Sequence, residues 1–271
     1  MISCIGLVTN EDKDPGLQYT GQIREFLEAR GINVYSGSAP ELAANLNPGE
    51  FWVVLGGDGT ILRAAHFAAI RDIPMLGINL GTMGFLTDAD REDGFMSLDK
   101  AIKGQFVKER RLMILADDLS GQHGNHQSNP DRLALNDIYL LRSGRLMEYT
   151  LLINGEYLDK IRADGVIVAT PTGSTAYNLS AGGPILVPYG EMMVITAVCP
   201  HSLSARPWVV SAKDTVRIYP SEEVPVWFDG VEQLSVSPPV GIEIRCAPYQ
   251  ATILKTSTTN FLDVLRKKKV V

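Results

Sequence analysis

The chain has 271 residues, of which 45% are hydrophobic and 21% charged, and its formal net charge at pH 7 is −6. Such a composition is typical of a soluble globular protein with room for two domains. The acidic balance disfavours bulk nucleic-acid binding, and no apolar run reaches the ~18–20 residues that a membrane-spanning helix needs. We therefore expect neither a nucleic acid nor a membrane as a partner.

The cysteines and the first residues predict a cytoplasmic protein. Cys4, Cys199 and Cys246 lie far apart in apolar segments, which indicates reduced, buried thiols. The N-terminus lacks the basic region and the cleavage site of a secretory leader. The pair His123 and His126 has no third ligand nearby, so a zinc site is not expected. The basic run at 266–269 is interpreted as a solvated helix end, favoured by the helix dipole.

The first hundred residues alternate between strand and helix patterns. Predicted strands cover 2–8, 32–36, 51–55 and 75–80. Predicted helices follow Asp14-Pro15, cover 40–46, begin near Gly59 and cover 92–103. This alternation predicts parallel βαβ units, whose ligands bind at the carboxyl ends of the strands.

From about residue 106, short strand-like runs follow one another, and Asn154-Gly155 is a strong hairpin signal. The runs are 112–117, 133–141, 148–155, 156–162, 165–170, 192–198, 215–220, 224–229 and 241–248, followed by ATILKT at 251–256. The last segment returns to a helical pattern. The predicted fold class is an α/β N-terminal domain with a Rossmann-like parallel sheet, followed by a β-rich domain that is mostly an antiparallel β-sandwich. The C-terminal helix is expected to return to the first domain. The predicted domains are 1–105 plus 252–271, and 106–251.

The stretch LGGDGTIL, 55–62, places three glycines around Asp58 directly after a buried strand. Glycines let a phosphate approach the backbone N–H groups, and a helix N-terminus favours anions. We expect Gly56, Gly57, Gly59 and Thr60 to form a phosphate-donor loop. An N-cap role for Asp58 would not explain the flanking glycines. A carboxylate there suits proton acceptance from an attacking hydroxyl, or help in holding a divalent cation between phosphate oxygens.

Two nearby residues keep two interpretations each. Arg63, one helical turn further on, either offsets phosphate charge or is a solvated helix arginine. Phe85, in the second glycine loop NLGTMGFLTD at 79–88, either stacks on a base or packs in the core.

Two stretches of the β-rich domain carry candidate binding residues. Asn136 has the donor and acceptor needed for an adenine edge, and Asp137 can accept from ribose hydroxyls, although a buried turn pair fits equally well. In RADGVIVATPTGSTAYNLSAGGPIL, 162–186, the two-residue period places Arg162 and Asp164 on one face, and Ser174 is expected to cap a helix. Its many hydroxyls and small residues favour a pocket lining over a core.

Taken together, these motifs resemble the NAD kinase family. GGDGT alone is shared with diacylglycerol, sphingosine and sugar-phosphate kinases, whereas LND, DGVIVATPTGSTAYNLSAGGPI and CPHSLSARPWVV are far more specific. The resemblance covers most of the chain and is weakest in 1–50 and 115–132. It implies transfer of the γ-phosphoryl of ATP, or of inorganic polyphosphate, to the 2′-hydroxyl of the adenosine ribose of NAD, which yields NADP.

The resemblance also implies roles for individual residues. Asp58 would activate the ribose hydroxyl, and Mg²⁺ or another divalent metal would be carried by phosphates, with Asp58 as a candidate ligand but no protein cage. The NAD-binding set would be Gly59, Arg63, Phe85, Asn136, Asp137, Arg162, Asp164, Thr175, Ala176, Tyr177, Asn178, Leu179 and Ser180. The family usually has Asn-Glu where this chain has Asn136-Asp137. Members form homodimers or homotetramers through the β-rich domain.

Two other functions compete with this one. A lipid kinase of the same architecture would expose an apolar acyl channel, against which the hydroxyl-rich 170–180 segment argues. A non-catalytic NAD or NADP sensor would lack the carboxylate at the glycine turn. The choice between ATP and polyphosphate, the use of NADH, feedback by NADP and the choice between dimer and tetramer are not determined by the sequence.

Overall fold

Two parts of the chain each enclose their own core in the computed structural model, which describes residues 2–45, 49–81, 84–120, 129–142, 144–202 and 204–270. The first unit is Met1–Arg110 with Ala251–Val271, and the second is Arg111–Gln250. The C-terminal helix therefore belongs to the first unit, as predicted. No helix among the described residues is long and apolar enough to cross a membrane.

A parallel sheet forms the centre of the first unit. Its strands are β1 (Cys4–Val8), β2 (Asn33–Gly37), β3 (Trp52–Gly56), β4 (Met75–Asn79) and the short β5 (Ala89–Asp90). Strand β1 pairs with β2 on one side and with β3 on the other, β3 pairs with β4, and β4 pairs with β5. The chain thus changes direction across the sheet at β1 and β3, and ligands bind α/β sheets at the carboxyl ends of strands at such a point.

Helices α1 (Gln18–Glu28), α2 (Ala39–Ala44), α3 (Asp58–Ile70) and α4 (Gly94–Ile102) connect these strands. Helix α1 buries Tyr19, Ile23 and Leu27, four residues apart, against the sheet. The carboxylate of Asp14 accepts from the backbone N–H groups of Tyr19 and Thr20 and so caps the first turn.

The second unit contains the strands β6 to β16, together with most of β17. Their bounds are β6 (Val107–Asp118), β7 (Leu133–Ala134), β8 (Asp137–Leu141), β9 (Met147–Ile153), β10 (Glu156–Ala163), β11 (Gly165–Ala169), β12 (Met192–Val198), β13 (Trp208–Ser211), β14 (Val216–Pro220), β15 (Val224–Phe228), β16 (Val231–Val236) and β17 (Ile242–Lys255). Strand β6 begins, and β17 ends, in the first unit, where Ile253 pairs with Met75. The chain also forms α5 (Tyr177–Ser180) and, in the first unit, α6 (Phe261–Lys267).

Two antiparallel layers enclose the core of the second unit. One layer has the order β13-β12-β11-β8-β15-β16, and in the other β10, β9, β14 and β17 are neighbours. Buried residues from both layers, among them Ile138, Val168, Tyr149 and Ile218, form one hydrophobic cluster. The predicted antiparallel sandwich is therefore confirmed. The hairpin signal is confirmed as well, because Asn154 and Gly155 have φ of 53° and 84° between β9 and β10.

Several strand predictions need correction. Strands β13 and β16 were not predicted, because they lie at the edges of their sheet, and their sequences WVVS and VEQLSV do not alternate apolar and polar residues. The runs at 241–248 and 251–256 form one strand, β17, and the run at 133–141 divides into β7 and β8. Helix α3 begins at Asp58, next to the predicted start near Gly59. Of the three cysteines predicted to be buried, Cys4 is buried, Cys246 is half-buried and Cys199 is exposed, because Cys199 lies just beyond the end of β12.

Candidate active site

The carboxylate of Asp58 is held by the loop that follows the neighbouring strand. Its Oδ2 accepts from the backbone N–H of Phe85 at 2.8 Å, and its Oδ1 accepts from that of Leu86 at 3.0 Å. The N-cap of α3 is Gly57, so Asp58 is the first residue of the helix and not its cap. The side chain thus joins the two glycine loops, which the sequence predicted only as neighbours.

A cavity of about 310 Å³ lies at the carboxyl ends of β3 and β4 and is lined by Asp58, Asn79 and four glycines. Lys13, from the segment after β1, and Lys268, at the end of α6, also line it. The sequence analysis missed both lysines: Lys13 carried no motif, and Lys268 was assigned to a solvated helix end. No pattern in the sequence indicated that the C-terminal helix ends at this cavity.

Phe85 has a partly buried ring, and the C-terminal helix contacts it. The ring centroid lies 6.2 Å from that of Phe261, and Nζ of Lys268 lies 4.8 Å from the Phe85 centroid. Its backbone N–H meanwhile binds Asp58. These contacts favour the packing interpretation over base stacking.

Other predicted loop residues support the turn between β3 and α3. Thr60 is buried, and its hydroxyl accepts from the side-chain amide of Asn10 at 2.9 Å. A Cβ on Gly56 would lie 2.3 Å from that hydroxyl, so the glycine is needed for the close approach. Gly59 is exposed and has open space around it, and Arg63 is exposed on α3.

In the second unit, Asn136 and Asp137 lie at the start of β8, beside Asp229. The Asp229 carboxylate accepts from the backbone N–H groups of Leu135, Asn136 and Asp137. The side chain of Asp137 is buried, and burial first, then the charge of Asp229, raises the pKa of its carboxyl to about 8. The raised pKa favours the protonated form of this carboxyl at neutral pH, which can donate as well as accept a hydrogen bond.

Aromatic rings and unpaired polar atoms surround this pair. The ring of Tyr139 stacks on Trp227 at 6.0 Å and meets Tyr177 edge-on at 5.1 Å. Among the described residues, the buried Nε1 of Trp227 and the buried hydroxyl of Thr172 find no hydrogen-bond partner. An unpaired buried donor within a cluster of aromatic rings is typical of a surface that receives a polar, ring-containing ligand.

In the segment after β11, some of the polar side chains form hydrogen bonds that hold the segment in its own conformation. Ser174 is fully buried in the 3-10 turn Gly173–Thr175, where its hydroxyl donates to the Pro171 carbonyl and accepts from the N–H of Leu186. It therefore does not cap a helix, and Ala176 precedes α5 instead. Asn178 is also fully buried and binds Ser174, Pro184 and Thr196. These polar groups form a scaffold and not a pocket lining.

The remaining predicted residues of this segment have accessible surface. Thr175, Ala176, Tyr177 and Leu179 are half-buried, and Ser180 is exposed. The scaffold leaves these five side chains accessible to a ligand. Their contact with NAD stays a prediction. Asn178 fits a supporting position better than a direct contact.

Arg162 and Asp164 do not share a strand face. Strand β10 ends at Ala163, and Asp164 lies in the link to β11, which belongs to the other layer. The two-residue alternation on which the prediction rested therefore stops before Asp164. Arg162 is exposed, Asp164 is half-buried, and the backbone of Asp164 binds Val198 and Arg142.

The described residues offer no protein cage for a metal, since no group of three or more His, Cys, Asp or Glu side chains converges among them. Mg²⁺ needs no such cage where it binds to substrate phosphates and one or two carboxylates. Asp58 provides a carboxylate on the cavity wall. The residues present therefore fit a Mg²⁺ ion that arrives with the donor phosphates. The predicted absence of zinc at His123 and His126 lies outside the described residues.

Comparisons with known proteins agree across the chain. The model of the ATP-NAD kinase N-terminal domain matches residues 47–106, and that of the C-terminal domain matches residues 135–256. A NAD kinase from Lachnoclostridium phytofermentans is 40% identical over 97% of both chains, and one from Ruminiclostridium cellulolyticum is 35% identical over 97% of this chain and 96% of that protein.

Solved structures show the same fold. The crystal structure of a NAD kinase from Archaeoglobus fulgidus in complex with ATP has a TM-score of 0.80 and 29% identity, and 99% of each chain is covered. Yeast NADH kinase complexed with NADH has a TM-score of 0.84 at 22% identity, with 99% of this chain and 88% of that chain covered. Both domain models and close relatives over nearly the full length agree: the chain belongs to the ATP-NAD kinase family.

Proposed function

We propose that this protein is a NAD kinase, which transfers the γ-phosphoryl group of ATP to the 2′-hydroxyl of the adenosine ribose of NAD and forms NADP. The observation that carries the proposal is the Asp58 carboxylate, held by two backbone N–H groups in a cavity with glycine loops and two lysines. The NAD kinase relatives and the ATP-bound structure of the Archaeoglobus fulgidus enzyme support this choice of substrates.

Asp58 is proposed to accept the proton of the attacking hydroxyl. Each carboxylate oxygen can accept two hydrogen bonds, and each Asp58 oxygen accepts one from a backbone N–H. Among the described residues no other hydrogen bond to this carboxylate is present, which leaves one lone pair on each oxygen for the substrate hydroxyl. The two N–H groups orient the carboxylate before the substrate binds, so little reorganisation is needed for proton transfer. Mg²⁺, when bound to the donor, would neutralise phosphate charge.

Replacing the base tests this role. Asp58→Asn keeps the size of the side chain but removes its proton affinity, so we expect kcat to fall by about 10²–10⁴. NAD affinity should change little, as measured by isothermal titration. Asp72→Asn, at an exposed position in the turn after the same helix, is the matched control and should retain activity. Near-normal turnover of Asp58→Asn would contradict the assignment of Asp58 as base.

The substrate assignment has its own assay: NADP formation from NAD with Mg²⁺ and, separately, ATP or polyphosphate as donor. Formation of NADP with ATP is expected, and ATP consumption without NADP would contradict the proposal.

Contact of NAD with Asn136, Asp137, Tyr177 and their neighbours belongs to the same proposal. Assembly into a homodimer or homotetramer rests on the resemblance alone, and location in the cytoplasm is inferred from the cysteine pattern.

A further inference from the structure

Lys268 and Lys13 place two ammonium groups at the wall of the Asp58 cavity from opposite ends of the chain. Among the described residues, no carboxylate lies within 4.0 Å of either ammonium group, in contrast to Arg266, which pairs with Asp263 on the same helix. Within the part of the chain that the structure describes, neither lysine is therefore neutralised by a carboxylate.

The position of Lys268 is set by the packing of α6. Asn260 and Asp263 form a capping box at the start of the helix, Leu265 is buried, and Phe261 packs against Phe85. The Lys268 ammonium lies over the Phe85 ring. A cation–π contact of this kind holds the charge near the cavity without neutralising it.

Asn79 gives a second, independent indication of a ligand in the same cavity. The residue is 2% exposed, its Oδ1 accepts from the N–H of Gly81, and its Nδ2 finds no acceptor among the described residues. A buried donor without a partner is rare in native proteins and calls for one. Asn79 lines the cavity, so an occupant of the cavity can supply the acceptor that the described residues lack.

The donors at this wall fit a polyanion. They are two ammonium groups, one amide and the first backbone N–H groups of α3, against the single carboxylate of Asp58. A chain of phosphates supplies acceptor oxygens and negative charge along its length, and lysine is a common phosphate ligand. A neutral ligand such as a sugar would leave both lysine charges unbalanced.

We propose that Lys268, with Lys13 and Asn79, binds the phosphate chain of the phosphoryl donor, so that the C-terminal helix sets the affinity for the donor. The inference rests on the proposed function, in which this cavity takes the donor phosphates. Recognition is through phosphates and not through the base. The ligand class is therefore a phosphoanhydride chain, whether that of a nucleoside triphosphate or of inorganic polyphosphate.

The test compares neighbouring lysines in the full-length enzyme. For Lys268→Ala we expect the KM for ATP to rise about tenfold or more, because a hydrogen bond to a charged group is worth at least about one decade of affinity. The KM for NAD should stay unchanged, and Lys268→Arg should recover most of the loss. Lys267→Ala, which removes the same charge one residue earlier and does not line the cavity, is the matched control.

Inorganic tripolyphosphate, as an inhibitor competitive with ATP, distinguishes recognition of phosphates from recognition of the nucleoside. Its inhibition should weaken in Lys268→Ala by a similar factor. An ATP KM equal to that of Lys267→Ala, an equal rise in the KM for NAD, or unchanged tripolyphosphate inhibition would each overturn the inference. If the wild-type enzyme forms no NADP, the proposed function fails instead. A binding titration with tripolyphosphate then shows separately whether the lysine site binds phosphates.

Discussion

Gly84 shows how one missing side chain shapes the candidate active site. A Cβ at this position would lie 1.8 Å from Oδ1 and 2.4 Å from Cγ of Asp58. The Gly84 N–H donates to the hydroxyl of Thr87, which fixes the loop at this distance. The glycine is therefore required for the Asp58 carboxylate to reach the N–H groups of Phe85 and Leu86.

Gly84→Ala should accordingly reduce catalysis by displacing Asp58. We expect kcat to fall about 100-fold, since displacement of a catalytic group by an ångström costs about that much. Steady-state kinetics at saturating NAD and ATP measure it. Gly21→Ala, on α1, is the control, because its Cβ would meet no atom within 4 Å and the residue does not line the cavity. Equal activity of the two variants would show that Asp58 tolerates the displacement.

At Asp137 the fold changes the chemistry of a side chain, because its surroundings favour the neutral form of the carboxyl. Its pKa of about 8 in the folded protein, raised by burial and then by Asp229, lies well above its ordinary value of 3.8. Between these two values the folded state holds a proton that the unfolded state has released. Stability must therefore decrease as the pH rises through this range.

The expected slope is up to about 1.4 kcal/mol per pH unit between about pH 5 and 7. Urea unfolding at several pH values measures it. Asp137→Asn mimics the protonated acid, so its stability should decrease less over this range, with the difference from wild type growing towards pH 8. Parallel pH profiles for the two proteins would contradict a proton held on Asp137.

At the scale of elements, Asp88 joins the loop after β4 to the approach of α6. The buried carboxylate accepts from the N–H and hydroxyl of Thr256 and from the hydroxyl of Ser97. Lys255 donates to the carbonyl of Thr87 in the same region at 2.7 Å. Burial opposes ionisation of Asp88, but these hydrogen bonds and the Lys255 charge outweigh it and hold the pKa below its usual value.

Removing this anchor should loosen the helix that carries Lys268. Asp88→Ala should lower the free energy of unfolding by about 1–3 kcal/mol, because it leaves buried donors unpaired. The lowered pKa means that the contribution is present above about pH 4 and is lost as the pH falls through the folded-state pKa. Denaturant titrations at pH 7 and pH 3 measure both effects. Asp99→Ala, which removes the surface ion pairs of Asp99 with Lys103 and Arg30, should cost less than about 1 kcal/mol. A loss equal to that of Asp88→Ala would contradict the role of Asp88 as an anchor.

At the scale of the whole molecule, the change from alternating helix and strand patterns to strand patterns alone predicts the order of the two units. Helix and strand patterns alternate up to about residue 105, and strand patterns follow, because one sheet is covered by helices and the other unit packs sheet on sheet. Edge strands such as β13 and β16 escaped prediction, since they need not alternate apolar and polar residues. The motifs around Asp58 and at 162–186 predict the family without any geometry.

The sequence by itself determined the fold class, the return of the last helix to the first unit and the family, because these depend on local periodicity and on contiguous motifs. Only the tertiary structure decided which groups act together. The Gly84–Asp58 contact, the neutral carboxyl of Asp137 beside Asp229, and Lys13 and Lys268 on one cavity wall each join residues far apart in the chain. Distances and burial determine the chemistry of these groups, and neither can be read from the local sequence.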